Sequence, residues 1–415
     1  MSPFSKDLQY YRFCAYGFLK NLKFFEPFLI LFLLDRGLSF LQIGIVYTVR
    51  EITRNVFEIP AGLAADILGR RRTMVSSFTL YILSFIIYSL STGPPSILIA
   101  TIVFGLADAF RTGTHKAMIF DYLHHHGWTD HKVAYYGHTR SWSQAGSAIS
   151  ALLAAVLVFC SGQISQVFIY SVIPYVLGLI LMLGYPAYLD GKAMKLREVR
   201  FRAAFKDTFR SFWISFLSPK IFRGILNAAV YSGYYQALKD YLQPVIQTFA
   251  IGLPLLLALD EERKSVILIG IIYFLIYILS SFAARRSGRF ASRFNGYAAP
   301  LNLTLLAGFT VGVLCGFFYL NQLPALSILL FIGIYLIENL RLPAGISYFT
   351  ENLDREILAT TLSAESQGKS LFTAVIALAT GFLADRFDIG TAILVVSVIM
   401  LLTFPLYLIR KEKAG

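Results

Sequence analysis

Charge and cysteine are both scarce in this sequence. Asp, Glu, Lys and Arg make up 15% of the 415 residues, whereas a typical soluble domain has about 25%, so a soluble enzyme is disfavoured. The three cysteines, Cys14, Cys160 and Cys315, each lie in an apolar stretch, which indicates no disulfide framework. The sequence also lacks a glycine-rich phosphate loop followed by Lys and Ser or Thr, and a G-x-S-x-G elbow. We therefore expect neither ATP-driven transport nor enzyme activity, and no cofactor.

Apolar residues, by contrast, are abundant and clustered. Hydrophobic residues make up 56% of the chain and the mean hydropathy is +0.63. A membrane-spanning helix needs about 20 mostly apolar residues, and no signal-peptide pattern marks the first apolar segment for removal. The pattern predicts twelve transmembrane helices, at residues 13–34, 40–63, 74–90, 96–120, 142–160, 167–188, 225–248, 266–283, 298–320, 326–348, 362–383 and 391–409.

The distribution of basic residues predicts the orientation in the membrane. A net charge of +13 suggests nucleic acid in a soluble protein, but in a hydrophobic chain it fits basic cytoplasmic loops. Arginines 70–72, and four more between residues 285 and 293, follow even-numbered spans. We expect an all-α, multi-pass protein of the plasma (inner) membrane, in contact with the lipid bilayer, with both termini cytoplasmic. Two six-helix halves, residues 1–189 and 224–415, are joined by a basic linker at 190–223.

Ionisable residues inside the predicted spans are unevenly distributed. Spans three, six, nine and twelve contain none, which fits a repeated three-helix unit. Ionisable side chains at membrane depth usually face a cavity or the bundle interior, so those of the other spans are candidate substrate contacts. Together with two tyrosines of span seven, the candidate substrate-binding residues are Lys20, Lys23, Arg50, Arg54, Asp108, Arg111, Tyr234, Tyr235, Lys239, Glu338 and Arg341.

Two spans carry polar stripes at helical spacing. The stripe of span two consists of Tyr47, Arg50, Glu51, Arg54 and Glu58. Residues 108, 111, 112 and 115 form a second stripe on span four. These charges could instead pair with one another to hold helices together. Spans one, two and four contain six basic residues and four carboxylates, and this surplus favours an anionic group on the substrate.

Ion coupling requires a carboxylate that titrates when it is exposed. Burial raises the pKa of a carboxyl group, whereas a neighbouring cation lowers it. The candidate coupling residues are Glu51, Glu58, Asp108 and Glu338. All have basic neighbours that could lock them in ion pairs, and we expect Glu338 to pair with Arg341, three residues further along span ten.

The six histidines all lie between residues 115 and 138. Three of them are adjacent, at residues 124–126, in a predicted cytoplasmic loop. Histidine-rich tracts can bind metal, but cysteine and carboxylate ligands at metal-site spacing are missing. We expect no metal site.

The most specific motif lies at the end of span two, where residues 62–72 read GLAADILGRRR. Small residues let helices approach closely, and glycine permits a tight reversal into the next helix. This spacing resembles motif A of the major facilitator superfamily, G-x-x-x-D-x-x-G-R-R/K. With the six-plus-six layout, the resemblance covers essentially the whole chain.

The resemblance implies alternating access, with a cavity lined by spans one, four, seven and ten. In this family the motif forms a cytoplasmic latch with an acidic residue at the inner end of span four. Carried onto this sequence, the gating residues are Gly62, Asp66, Gly69, Arg70 and Asp121. Span five lacks the proline-containing motif that many drug antiporters of this family carry. Its absence weakens the interpretation of this protein as a drug antiporter.

Three functions remain open from the sequence. The first is secondary transport of a small organic solute, with an anionic group favoured and with protons or another ion coupled. The second is proton-coupled export of cationic or lipophilic drugs. The third is a non-transporting membrane receptor. Charge along the predicted pathway favours transport, and no nucleic-acid partner is expected.

Overall fold

The structure, a computed structural model, describes residues 5–128, 132–190, 219–253, 260–294, 296–352 and 355–409. Within these ranges the chain forms α-helices and short 3₁₀ helices, with no strand, so the all-α prediction is confirmed. The predicted linker at 190–223 lies outside the described residues except for 190 and 219–223.

The first part of the chain, up to residue 190, forms eight of these helices. They are α1 (Leu8–Lys20), α2 (Leu29–Asp35), α3 (Phe40–Leu68), α4 (Arg70–Leu90), α5 (Pro94–Arg111), α6 (Thr114–His125), α7 (Lys132–Ser161) and α8 (Gln166–Leu183). Local chemistry sets several starts: Asp7 accepts a hydrogen bond from the Tyr10 backbone N–H at 2.8 Å, and α5 begins with proline.

The second part, from residue 219, forms seven described helices. They are α9 (Pro219–Leu238), α10 (Leu242–Ile251), α11 (Glu261–Ala291), α12 (Ala298–Leu320), α13 (Pro324–Asn352), α14 (Arg355–Arg386) and α15 (Ile389–Leu402). Asp260 and Asp388 cap α11 and α15, each accepting a backbone N–H three residues on at 2.8 Å.

Eight helices of the described residues are long and apolar enough to cross a membrane, and four predicted spans are not among them. Spans one and seven are each divided by a 3₁₀ turn, at Glu26–Phe28 and Lys239–Tyr241. Span two is a continuous helix of 29 residues, but Arg50, Glu51 and Arg54 lower its hydropathy. Span twelve forms a helix of 14 residues, which is shorter than the about 20 residues that a membrane crossing needs.

Two further spans differ from their predicted form. Span four breaks between α5 and α6 at Gly113, which has φ +80°, so the predicted continuous stripe over residues 108–115 is wrong. Span five begins ten residues earlier than predicted, at Lys132 instead of Trp142. The polar segment at residues 132–141, which hydropathy assigned to a loop, is therefore helical.

Large apolar side chains cover the outward surface of several long helices. On α8 the exposed residues Ile169, Ile173, Leu177 and Ile180 recur every three or four positions, which places them on one face. Burying this face in protein would require a partner, whereas lipid tails cover it directly. Span six also carries no ionisable residue, which fits a helix that faces lipid.

The chain divides into two compact units. Unit 1 comprises Met1–Phe32, Ile52–Ala204 and Ile269–Ile278, and unit 2 comprises Leu33–Glu51, Phe205–Leu268 and Leu279–Gly415. The predicted halves, 1–189 and 224–415, stay a prediction. The core of unit 1 is aromatic: Phe25 stacks on Phe168 with ring centroids 5.2 Å apart, and Tyr175 packs against Phe85.

In unit 2 the first turns of α3 lie against α14 at very short range. Gly44 faces the Ala377 carbonyl, and Gly381 faces the Phe40 carbonyl, so closely that a Cβ at either glycine would clash. Asp385 of α14 accepts the backbone N–H groups of Phe40 at 2.7 Å and of Leu41 at 2.8 Å. The start of α3 is thus capped by a carboxylate from another helix.

Candidate functional site

Unit 1 contains a cavity of about 420 Å³, a size within the usual range for small-molecule sites. It is formed by the end of α1, the junction of α5 with α6, and the early part of α7. The lining residues are Phe13, Tyr16, Gly17, Lys20, Asn21, Arg111, Thr112, Gly113, His115, Lys116, Ile119, Thr139, Arg140, Ser143 and Gln144.

The cavity lining is strongly positive. Four of its side chains are basic, Lys20, Arg111, Lys116 and Arg140, and none of the lining residues is Asp or Glu. They come from four different helices, so the cavity and not a single sequence run brings them together. Charges at membrane depth are costly unless they are compensated, and no carboxylate of the lining compensates these.

One cation of the lining is held by a carboxylate behind it. Arg111 contacts Asp108 at 3.1 Å, and its Nε donates to the Tyr81 hydroxyl at 2.9 Å. The Tyr81 hydroxyl also donates to Asp108. The positive charges of Lys23 and Arg54 also favour the ionised form of the Asp108 carboxylate. Asp108, predicted as a substrate contact, does not line the cavity and instead orients Arg111.

The break in span four places a helix start at the cavity. Gly113 precedes α6 with no side-chain cap, and the first turn of a helix presents N–H groups and partial positive charge. Thr112, Gly113, His115 and Lys116 all line the cavity. In some secondary transporters, discontinuous helices point their N-termini at anionic groups of the substrate.

Aromatic rings form the least polar part of the cavity. The ring of His115 stacks on Tyr16 at 3.5 Å with an angle of 13°, and Phe13 packs edge-on against His115. Lys20 lies 5.9 Å from the centre of the Tyr16 ring. This surface suits the apolar body of an organic molecule whose charged group meets the cations.

Glycines fix the distance between α1 and α7. A Cβ on Gly17 would lie 2.8 Å from Ser143 Oγ and 3.2 Å from the Thr139 carbonyl, and one on Gly146 would lie 2.6 Å from the Phe18 carbonyl. The two helices therefore touch almost backbone to backbone. This contact sets the positions of Lys20 on one helix and Arg140 on the other.

A second group of charged residues lies in unit 2, at the break in span seven. Lys239 Nζ contacts Asp240 at 2.9 Å, and the Tyr47 hydroxyl donates to Asp240 at 2.5 Å. Arg50 lies 5.1 Å from the centre of the Tyr47 ring. These charges are compensated within the group, so it holds α3 against the span-seven break.

Glu51 extends this group towards α14. It accepts hydrogen bonds from Arg50 at 3.3 Å and from the Ser370 hydroxyl at 2.8 Å. Its side chain is buried. The sequence left open that the charges inside the spans pair with one another. In this structure Glu51 pairs with Arg50, and Lys239 pairs with Asp240.

The expected pairing of Glu338 with Arg341 is wrong. Glu338 accepts a hydrogen bond from Ser232 at 2.7 Å. Arg341 points to α9 and α12, where it donates to Asn227 Oδ1 at 2.7 Å and to Thr304 Oγ1 at 2.8 Å. At helical spacing the two side chains could meet, but each bonds neutral groups of neighbouring helices instead.

The remaining candidates lie in varied surroundings. Tyr234 is fully buried and bonds Ser397 at 2.7 Å, which is a packing position. Tyr235 is partly exposed and packs edge-on against Tyr335 at 5.1 Å. Glu58 is partly buried, and its Oε2 has no hydrogen-bond partner among the described residues.

The motif at the end of span two forms a tight corner. Gly69 has φ +92° between α3 and α4, a conformation that favours glycine. Arg70 forms an ion pair with Asp121, as the resemblance implied, while Asp66 and Gly62 are exposed. Arg71 binds Asp190, which accepts its backbone N–H at 2.7 Å. The gating role of these residues stays a prediction.

Several cavity residues escaped the sequence reasoning. Arg140 was assigned to a loop, and Ser143 and Gln144 to the first residues of span five, because an apolar window ignores a polar helical start. Small and polar residues are mixed between residues 137 and 147. This pattern was the available signal that the helix begins before the apolar stretch. His115 was noted on a polar stripe, but its stacking on Tyr16 depends on the break at Gly113. The described residues include no group of three or more potential metal ligands.

Comparison with known proteins agrees with this architecture. A sequence model of the Major Facilitator Superfamily matches residues 13–339, so the chain belongs to this superfamily of membrane transporters, which are not enzymes. The uncharacterized MFS-type transporter YxaM of Bacillus subtilis (strain 168) is 31% identical over 106 residues. That match spans 25% of this chain and 27% of YxaM.

Solved structures share the fold at low sequence identity. The crystal structure of nucleoside transporter NupG is similar with a TM-score of 0.72 and 14% identity, over 97% of this chain and 98% of that chain. A POT family transporter in complex with 5-aminolevulinic acid gives a TM-score of 0.69 and 14% identity, over 96% of each chain. The protein is therefore a multi-pass membrane transporter of the MFS type.

Proposed function

We propose that this protein is a secondary active transporter of a small organic anion, working by alternating access across the plasma membrane with both termini in the cytoplasm. The observation that carries this proposal is the cavity of unit 1, with four cationic side chains and no carboxylate in its lining. The helix start at Gly113 adds positive potential to the same cavity. Phe13, Tyr16 and His115 supply apolar surface for the organic part.

The sign of the cavity disfavours the competing proposals. A lipophilic cation entering it would meet Lys20, Arg111 and Arg140 without a facing carboxylate. A receptor would have no evident need for uncompensated charge at membrane depth. The POT family neighbour holds 5-aminolevulinic acid, so the same fold accommodates an organic acid.

We further propose coupling to protons or another ion through a carboxylate of Glu51, Glu58, Asp108 or Glu338. Glu51 and Asp108 are each bound to an arginine. Glu338 is buried and bonds only a serine hydroxyl among the described residues. Since a buried charge without an ion pair is costly, Glu338 is the first residue to test.

The test is solute flux into proteoliposomes that contain the full chain. We expect uptake of organic anions, driven by an imposed pH gradient, and little uptake of matched neutral or cationic compounds. Arg111→Gln should reduce anion flux at least tenfold, since one charge-assisted hydrogen bond is worth about 1.5–3 kcal/mol. Glu338→Gln should retain exchange but lose the response to the gradient. Flux of lipophilic cations alone would replace this proposal with drug export, and no flux at all would favour a receptor.

A further inference from the structure

We propose that the anion bound in the cavity of unit 1 carries two negative charges close together, as compact dicarboxylates and phosphate monoesters do. The inference rests on the function proposed above and specifies its substrate class. It follows from the number, the spacing and the rigidity of the cations that line the cavity.

Two lining cations have no ion pair among the described residues. Arg111 is bound to Asp108 at 3.1 Å, whereas Lys20 and Arg140 form no salt bridge within the described part of the chain. A monoanion would compensate one of these two charges and leave the other. A dianion compensates both.

The basic side chains share one cavity on helices that are held in contact. Lys20, Arg111 and Arg140 all line it, and like charges that share a site repel one another. Gly17 and Gly146 hold α1 and α7 in backbone contact, so the helices have little freedom to move the charges apart. A ligand with two negative charges removes this repulsion and gains an attraction to each cation.

Hydrogen-bond donors around the cations suit oxyanions. The hydroxyls of Thr139 and Ser143, one turn apart on α7, line the cavity beside Arg140. The uncapped start of α6 faces it from another side. Carboxylate and phosphate oxygens accept several such bonds at once, and arginine binds both in a forked geometry.

The volume limits the size of the dianion. A cavity of about 420 Å³ lies near the lower end of the range for small-molecule sites. The aromatic wall occupies one side of it, through Phe13, Tyr16 and His115. The fitting ligand is a small molecule with a short carbon skeleton between or behind its charges, not a polymer or a large nucleotide.

The test compares ligands that differ by one charge. Purified full-length protein is titrated calorimetrically with succinate and with succinamate, in which one carboxylate is an amide. It is also titrated with glycerol 3-phosphate and with its methyl diester, which carries one charge fewer. We expect the dianion of at least one pair to bind roughly tenfold more tightly than its monoanion. Which pair shows the preference distinguishes carboxylates from phosphates.

The comparison within each pair needs no variant, so it does not depend on a mutant folding. Arg140→Gln and Lys20→Gln should bring the ratio of affinities close to one, while Arg289→Gln, an exposed arginine of unit 2, should leave it unchanged. Equal affinity for the members of both pairs would overturn this inference but leave anion transport standing. Binding of neutral or cationic compounds alone would overturn both.

Discussion

Arg341 shows how a residue that reads as functional in the sequence can be structural. It lies on span ten at membrane depth, where charge usually marks a pathway. In the structure it is 4% exposed and donates to the backbone and side chain of Asn227 as well as to Thr304. Its guanidinium also lies 4.9 Å from the centre of the Tyr231 ring. All of these partners belong to helices of unit 2 that Arg341 ties together.

We predict that Arg341→Lys destabilises the protein by about 2–3 kcal/mol, because an ammonium cannot replace a forked guanidinium and leaves buried acceptors unpaired. The measurement is the free energy or midpoint of unfolding of the purified protein in detergent. Arg289→Lys, at an exposed position, is the matched control and should be neutral. A variant that keeps full stability but loses anion binding would return Arg341 to the substrate site.

At the scale of single residues, the sequence identified the charged side chains inside the spans but not the groups that they bind. Lys20 and Arg111 were expected on the pathway because of their depth, and both line the cavity. The partners of Arg341 lie 37 and 114 residues away in the chain, a separation that no local pattern encodes. Helical spacing favoured Glu338 as the partner, but longer-range contacts determined the outcome.

At the scale of elements, the contact of α3 with α14 in unit 2 is held by several polar bonds. Asp385 accepts two backbone N–H groups of the α3 start, and Thr48 donates to the Ala374 carbonyl at 3.0 Å. Glu51 reaches Ser370 further along. Polar bonds thus follow the whole contact, where the glycines allow the backbones to approach.

We predict that Asp385→Ala loosens this contact, at a loss of about 1–2 kcal/mol for the missing cap. Hydrogen exchange measured by mass spectrometry should become faster in residues 40–51. Asp388→Ala removes a similar cap from the helix that follows it in sequence, α15. That control should speed exchange in 389–402 and leave 40–51 unchanged, whereas protection of 40–51 in the Asp385 variant would show that the cap is dispensable.

The breaks in spans one, four and seven were the elements that hydropathy could not predict. An averaging window detects enough apolar residues for a span but not the local turn that divides it. Gly113 and Pro27 were visible in the sequence, yet both residue types also occur inside intact membrane helices. Their left-handed or 3₁₀ conformations depend on packing partners that the chain supplies elsewhere. The unbroken span nine, at Ala298–Leu320, agreed with its predicted bounds.

At the scale of the whole molecule, the arrangement of basic residues argues for a single orientation. Arginines 70–72 follow span two, and the arginines between 285 and 293 follow span eight. Positive charge favours the cytoplasmic side of a membrane. The superfamily could be predicted because the motif at residues 62–72 and the six-plus-six pattern are both local properties of the sequence. The cavity could not be predicted in the same way, because its basic side chains come from four different helices.

We predict that the C-terminus lies in the cytoplasm. A green fluorescent protein fused after residue 415 should fluoresce in cells, and alkaline phosphatase at the same position should be inactive. Alkaline phosphatase inserted between residues 253 and 260, in the predicted outside connection of spans seven and eight, is the complementary control and should be active. The reverse pattern of activities would show that the charge asymmetry had been misread and that the orientation is inverted.

The backbone contact between α1 and α7 has a consequence for the protein between transport events. Because Gly17 and Gly146 keep the two helices together, the backbone positions that carry Lys20 and Arg140 stay at one separation. A concave surface of one sign concentrates counter-ions from solution. If the substrate is the organic anion proposed above, its entry is an exchange in which small inorganic anions leave the cavity. The apparent affinity will fall as chloride rises, and the entropy of the released ions will contribute to binding.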